Sequence, residues 1–338
     1  SKQDSETAIS VILAQAISAQ GASLIMRLEG FSTLGAIFQK YRDYSEPILR
    51  ETLNAVASEI RDPGSVFEVR REALTCSLTI VANNTLSDPH ITQLVGIVQN
   101  ISTSQDWHLR LATPSTVQRI LASQRMQQAD FDRMVALVLP LLEDPTIVGD
   151  DIIINIKNIF LNEPTRTSIR ENSISLLADH VTSAAFNQSI FQDEKSEMLG
   201  IVRDVCYHMS DRISNQTFDH VISQLKEIIA LPDERWYVKL IKCSALYAIA
   251  KIAEKYDQIS DQVMGGIIDT AFSMIGVVPY DNATIVESLS SLMNSPAHSQ
   301  RFGPAIIDRI NAAIDQGILR MDDVAKIIIR ECFRRPSL

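Results

Sequence analysis

The sequence predicts an all-α fold built of stacked antiparallel helix pairs, and three observations carry that prediction. Helix breakers are scarce: 338 residues hold 12 glycines and 12 prolines, where average usage would give roughly twice as many glycines. The prolines fall mostly between apolar-periodic segments and often follow an acid, as in Glu46-Pro47, Asp62-Pro63, Asp88-Pro89, Asp144-Pro145 and Glu163-Pro164. An acid suits the positive end of a helix, and proline at its first position gives up no hydrogen bond, so these dipeptides read as helix starts. Strand signals are nearly absent, with no sustained period-two alternation and no Asn-Gly or Asp-Gly hairpin dipeptide.

Taken in order, residues 5–29 read as a long first helix opened by Ser5 and interrupted at Gly21, and 30–44 as a short connecting helix. Together residues 1–45 make an N-terminal cap, and 46–338 a single continuous repeat array. The first clear pair is 47–60 with 65–82, turned by Asp62-Pro63-Gly64 and ended by Asn83-Asn84. The next pairs are 89–101 with 106–121, and 129–142 with 146–161. Pro114 inside the 106–121 segment is expected to kink that helix or delay its start. Further helices are expected at 164–182, 193–210, 217–231, 233–256, 260–277, 283–294, 303–316 and 321–333. In 233–256, Val238, Ile241, Ala245, Ala248, Ile249 and Ile252 recur at spacings of three and four, the seam of a buried face. Tyr237, Leu240 and Tyr247 widen the stripe, and Lys239, Lys242, Lys251 and Lys255 are expected on the wetter side.

Apolar residues make up 46% and charged residues 21%, which excludes wholesale disorder. Aromatics are only 6%, so Ile, Leu, Val, Ala and Met must build the core. A net charge of −10 disfavours a duplex-wrapping protein, whose affinity comes from many Lys and Arg contacts to phosphate. It equally disfavours non-specific adhesion to anionic membranes. No segment is long and apolar enough to read as a membrane span. Cys76, Cys206, Cys243 and Cys332 are far apart, and each sits in a helical pattern, as buried free thiols of a reducing compartment would. A cytoplasmic or nuclear location follows, with export to a host cell left open. The chain opens on Ser1 rather than Met, as expected of one trimmed at its start, where a targeting signal could have stood.

Several second helices share a motif of apolar, basic, any two residues, then small. It occurs as Val69-Arg70…Ala73, Leu109-Arg110…Thr113, Ile169-Arg170…Ser173 and Val202-Arg203…Cys206, and Val238-Lys239 begins it. The apolar and small positions share one face and let neighbouring helices approach closely, leaving the basic residue to pair with an acid or carbonyl beside them. On these residues the chain resembles the HEAT and armadillo superfamily of helical repeats, over roughly residues 46–255. The resemblance implies a right-handed superhelical stack of antiparallel helix pairs, an α-solenoid of about five to seven pairs used for protein–protein scaffolding, and carries over no catalytic residue. The intervals between the basic residues, 40, 60, 33 and 36, are uneven, and 146–161 lacks the motif. A compact non-repetitive bundle is the structural alternative.

Signatures of chemistry are missing. The six histidines show no ligand spacing, and Cys206 and His208 project to opposite sides of a helix. His180, His220 and His298 read as surface or capping residues. There is no nucleophile elbow, and Gly265-Gly266 lacks the Lys and Ser/Thr of a phosphate loop. Asp150-Asp151 and Asp322-Asp323 are explained by helix dipoles. Five N-x-S/T triplets matter only in a secreted chain, and the tail Arg334-Arg335-Pro336-Ser337 resembles a kinase site by short motif alone. No cofactor and no metal are expected.

The expected function is therefore a non-enzymatic scaffold or adaptor that binds a protein or peptide along its helical surface, including a bacterial or viral effector aimed at host proteins. Arg70, Arg110, Arg170, Arg203 and Lys239 are expected to form a basic ladder on successive second helices. Trp107 and Trp236, each opening a helix, are either binding anchors or spacers between repeats. The ladder has two fates: neutralisation within the stack by acids such as Glu72 and Glu171, or an open groove for an acidic or phosphorylated segment. The enzyme alternative resembles the HEAT-like DNA glycosylases and would rest on Asp106, Trp107, Arg110, Arg119 and Arg125; otherwise no nucleic acid is expected.

Overall fold

The computed structural model describes residues 2–19, 21–232, 235–256, 258–276 and 282–320, and among these every regular element is helical. The expected helix at 321–333, Asp322-Asp323, Cys332 and Ser337 lie outside the described residues. Contacts group the chain into two compact units, Ser1–Ile169 and Arg170–Leu338.

In the first unit, α1 (Lys2–Ile12) runs into a π-helical turn (Leu13–Ile17) and is followed by α2 (Leu24–Lys40). The pairs α3 (Glu46–Arg61) with α4 (Phe67–Asn83), α5 (Asp88–Ser102) with α6 (Trp107–Ser123), and α7 (Gln128–Val138) with α8 (Asp150–Leu161) come next. A 3-10 turn (Leu139–Glu143) extends α7, and the single turn α9 (Glu163–Arg166) closes the unit. Two layers result. α1, α3, α5 and α7 pack in sequence as the first layer, and α2, α4, α6 and α8 as the second. The core between them is aliphatic: Leu53 and Val56 of α3, Ile80 of α4, Val95 and Val98 of α5 and Val117 of α6 are all fully buried.

The second unit repeats the plan with α10 (Glu171–Phe186) and α11 (Gln192–His208), α12 (Asn215–Ile229) and α13 (Trp236–Ala253), α14 (Asp261–Met274) and α15 (Asn282–Leu292), and α16 (Pro296–Asp315). α10 packs on α12, while α11, α13 and α15 form the second layer. The six seam residues expected of α13 are all buried. Lys242 departs from expectation, since it is buried rather than on the wetter side.

Three local expectations are corrected. The interruption expected at Gly21 is present, with Ser23 capping the new start and its hydroxyl accepting from the Met26 N–H at 3.2 Å, but the boundary expected between 29 and 30 is absent, because α2 runs straight through Gly30. Close contact with the π turn explains the glycine, because a Cβ there would meet Ile17 Cγ1 at 2.9 Å. Residues 164–182 divide into α9 and α10, and α10 leads its pair as a first-layer helix. Pro114 sits in mid-α6 without delaying its start at Trp107.

Candidate functional site

The basic ladder exists in the first unit, and its partners are turn acids one pair further along the chain. Arg27 of α2 donates to Asp62 Oδ2 at 2.8 Å and to both oxygens of the buried Glu59 at 3.0 Å. Arg70 of α4 reaches Asp106, the N-cap of α6, at 3.9 Å and also donates to the Asp62 carbonyl at 2.5 Å. Arg110 of α6 pairs with Asp144 ahead of α8. Asp62 and Asp144 both precede a proline in sequence, yet they lie in turns rather than opening helices. They catch the arginine of the preceding pair instead. Glu46, Asp88 and Glu163 do open α3, α5 and α9, with their prolines in the first turn.

These contacts hold the two carboxyls below their ordinary range. For Asp62 the Arg27 hydrogen bond is the main cause, helped by the Gly64 N–H. At Asp144, burial acts most strongly and in the opposite sense, but the Thr146 hydroxyl, the Thr146 N–H and the Arg110 charge together outweigh it. Glu72 and Glu171 are not the neutralising acids expected; Glu171 instead accepts from Thr217 Oγ1 at 2.7 Å and from the Ser214 hydroxyl. Arg27 was missing from the expected ladder although Met26-Arg27…Gly30 fits the apolar–basic–x–x–small motif.

The other members diverge. Arg170 is the N-cap residue of α10 and so does not belong to the second layer. That misplacement accounts for the irregular interval of 60 residues. Arg203 of α11 pairs with its neighbour Asp204 at 2.7 Å and lies over the Tyr247 ring of α13 at 5.4 Å. Lys239 is on α13, half-buried.

The two tryptophans share a setting. Each is the first residue of a central second-layer helix, with a cation three residues later: Trp107…Arg110 on α6 and Trp236…Lys239 on α13. Among the described helices, only these two carry two or more Lys or Arg and no acid. Trp107 is 49% exposed and Trp236 70% exposed, so neither ring is spent on filling the gap between pairs. Trp107 stacks on His108 at 3.6 Å, and His108 meets Phe67 at the start of α4. Phe191, the N-cap residue of α11, is 77% exposed and was not singled out from sequence, because one phenylalanine ahead of a helix reads as core. The starts of α6, α11 and α13 thus present large aromatic surface to solvent.

Little else gathers chemistry. Cys76, Cys206 and Cys243 are buried free thiols, and burial pushes Cys206 up to about 12. His298 is buried rather than at the surface, and His220 pairs with Asp179 at 2.8 Å beside a shallow cleft between α10 and α12. Asp106 is occupied as the α6 cap and by Arg70, which leaves the cluster of Asp106, Trp107, Arg110, Arg119 and Arg125 without an uncommitted carboxylate. Among the described residues no group of three or more His, Cys, Asp or Glu is placed to hold a metal ion, and no helix is long and apolar enough to cross a membrane.

The sequence matches no protein-family model and no curated protein. Among solved structures it is similar to an engineered protein at 14% identity, over 75% of this chain and 97% of that one, with a TM-score of 0.36. It is also similar to the TSC2 N-terminus at 12% identity, over 97% and 99% of the two chains, with a TM-score of 0.26. The helical-repeat assignment rests on the layered pairs themselves.

Proposed function

We propose that the chain is a non-enzymatic scaffold of the HEAT or armadillo type that binds another protein through the aromatic ends of its second-layer helices. The observation that carries this reading is the exposure of Trp107, Phe191 and Trp236 at helix starts. Large rings left in water are costly, and they are the side chains most often found as binding anchors. Arg70 and Arg110 tie neighbouring pairs together in this reading, which moves the partner contact from the ladder to the tryptophans. Affinity purification with stoichiometry measured by mass spectrometry tests it. Trp107→Ala with Trp236→Ala is expected to lose the partner while the melting temperature stays within about 1–2 °C, as for exposed positions. Retention of the partner by that variant, or turnover of a small substrate by a wild-type chain that recovers no stoichiometric protein, overturns it.

A further inference from the structure

Three large apolar residues, Ile25, Val66 and Trp107, follow one another in the chain at steps of 41 residues. Each belongs to the start of a second-layer helix: Ile25 to the first turn of α2, Val66 to the N-cap of α4 and Trp107 to the first position of α6. All three are exposed, Ile25 at 72% and Val66 at 39%, and so is Met26 beside Ile25. The second-layer helices of this unit run parallel to one another, so their starts share one edge. The salt-bridge ladder fixes that edge. Arg27, Arg70 and Arg110 each join the first turn of one second-layer helix to the turn or cap ahead of the next. Between Val66 and Trp107 the ring surface is continuous, because Phe67 meets His108 at 4.5 Å and Trp107 stacks on His108.

The pitch and chemistry of this edge say what fits it. Packed neighbouring helices lie about 8–10 Å apart, so the row offers an apolar side chain at steps of that size. In an α-helix, residues seven apart share a face and are separated by about 10.5 Å. A β-strand repeats a face at about 7 Å and then about 13 Å, and misses the step. A polyproline helix comes near it at about 9 Å, but such segments dock in aromatic-lined grooves, and Ile25, Met26 and Val66 are aliphatic. The ladder arginines are spent on Glu59, Asp62, Asp106 and Asp144. Of the exposed cations nearby, Arg61 turns back to the Ala57 carbonyl at 3.0 Å and Arg71 lies over the Phe67 ring at 5.7 Å. Glu29, one turn beyond Ile25, and Glu68, two residues beyond Val66, are exposed and unpaired among the described residues. Lysines beside the apolar stripe of a covering helix would meet those two acids. The exposed apolar area is on the order of a few hundred Å², short of the roughly 800 Å² that each copy of a stable dimer buries. One helix suits it better than a second copy of the chain.

We propose that the edge formed by the starts of α2, α4 and α6 holds a basic amphipathic helix of the partner protein, laid across the three starts with large apolar residues one heptad apart on Ile25, Val66 and Trp107. The inference rests on the scaffold reading and names the chemistry of its partner.

The test uses the full chain and a fluorescein-labelled peptide of about 20 residues, helical, with leucines in heptad register among lysines and alanines. Anisotropy is read at physiological salt, where non-specific attraction between exposed charges is screened. The controls are a scrambled peptide of the same composition and a proline-rich peptide with leucine at each third position. The heptad peptide is expected to bind and the scrambled one not. Ile25→Asp with Val66→Asp is expected to weaken binding by about 10-fold or more. Its melting temperature should stay within about 1–2 °C, since both positions are exposed and an acid suits the start of a helix. Ile154→Asp, exposed on α8 and outside the row, is expected to bind as wild type. Equal binding of the scrambled peptide, tighter binding of the proline-rich one, or no loss in the Ile25 and Val66 variant overturns the proposal. Self-association of the chain that the Ile25 and Val66 variant abolishes, read by sedimentation, also overturns it. A cellular partner lost by Trp107→Ala with Trp236→Ala but kept by the Ile25 and Val66 variant overturns this inference and leaves the scaffold reading standing.

Discussion

Arg110 and Asp144 join two helix pairs through one part-buried contact, and its acid dependence follows from the aspartate. The folded value lies below the ordinary 3.8, so the contact contributes fully above that pH and is lost as pH falls through the folded value. Asp144→Asn is expected to cost about 2 kcal/mol at neutral pH and to flatten the loss of stability below pH 4; urea melts across a pH series measure both. A variant with wild-type acid sensitivity would place the stabilising charge elsewhere. The arginines of this ladder were legible in the sequence because apolar, basic and small residues recur at a fixed spacing. Their partners were not legible. Arg27 and Asp62 are 35 residues apart and Arg110 and Asp144 are 34 apart, and only the packing of one pair on the next brings them together. Local acids such as Glu72 were the nearer guess, and proximity along the chain misled.

Helix starts were legible at Ser214 and Ser260, whose hydroxyls accept from the first turns of α12 and α14, but α16 was expected from 303 and starts at Pro296, behind the Ser295 cap. The sequence failed at α9 and α10, where the helix breaks over 167–170 with no glycine or proline to announce it. Gly30 misled in the other direction, reading as a boundary although it lies within α2 for the sake of close packing. That distinction is measurable. Gly30→Ala pushes a methyl into Ile17 and is expected to destabilise by about 1–3 kcal/mol. Gly96→Ala in α5 meets nothing within 4 Å and is expected to stabilise by about 0.5–1 kcal/mol through helix propensity. Thermal melts of the two variants should move in opposite directions; a shared sign would remove the packing argument for Gly30.

Within each of the two units, polar contacts join one pair to the next at a recurring separation of about 40 residues. Tyr44 N–H to Asn84, Gln128 to Ser168, and Asn294 to Glu254 each bridge 40 residues, and the Tyr256 hydroxyl donates to Asp219 across 37. Each unit is therefore held by nearest-neighbour joints, so damage should stay close to where it is made. In hydrogen exchange, Arg110→Leu is expected to speed exchange in α4, α6 and α8 and to leave α11 and α13 at wild-type rates; uniform acceleration would mean one cooperative block. Because no joint among the described residues waits for residues much more than a period away, each new pair can dock as soon as its own helices have been made. Synthesis and folding can then advance together from the amino end, with little apolar surface left waiting for a distant strand or domain to cover it.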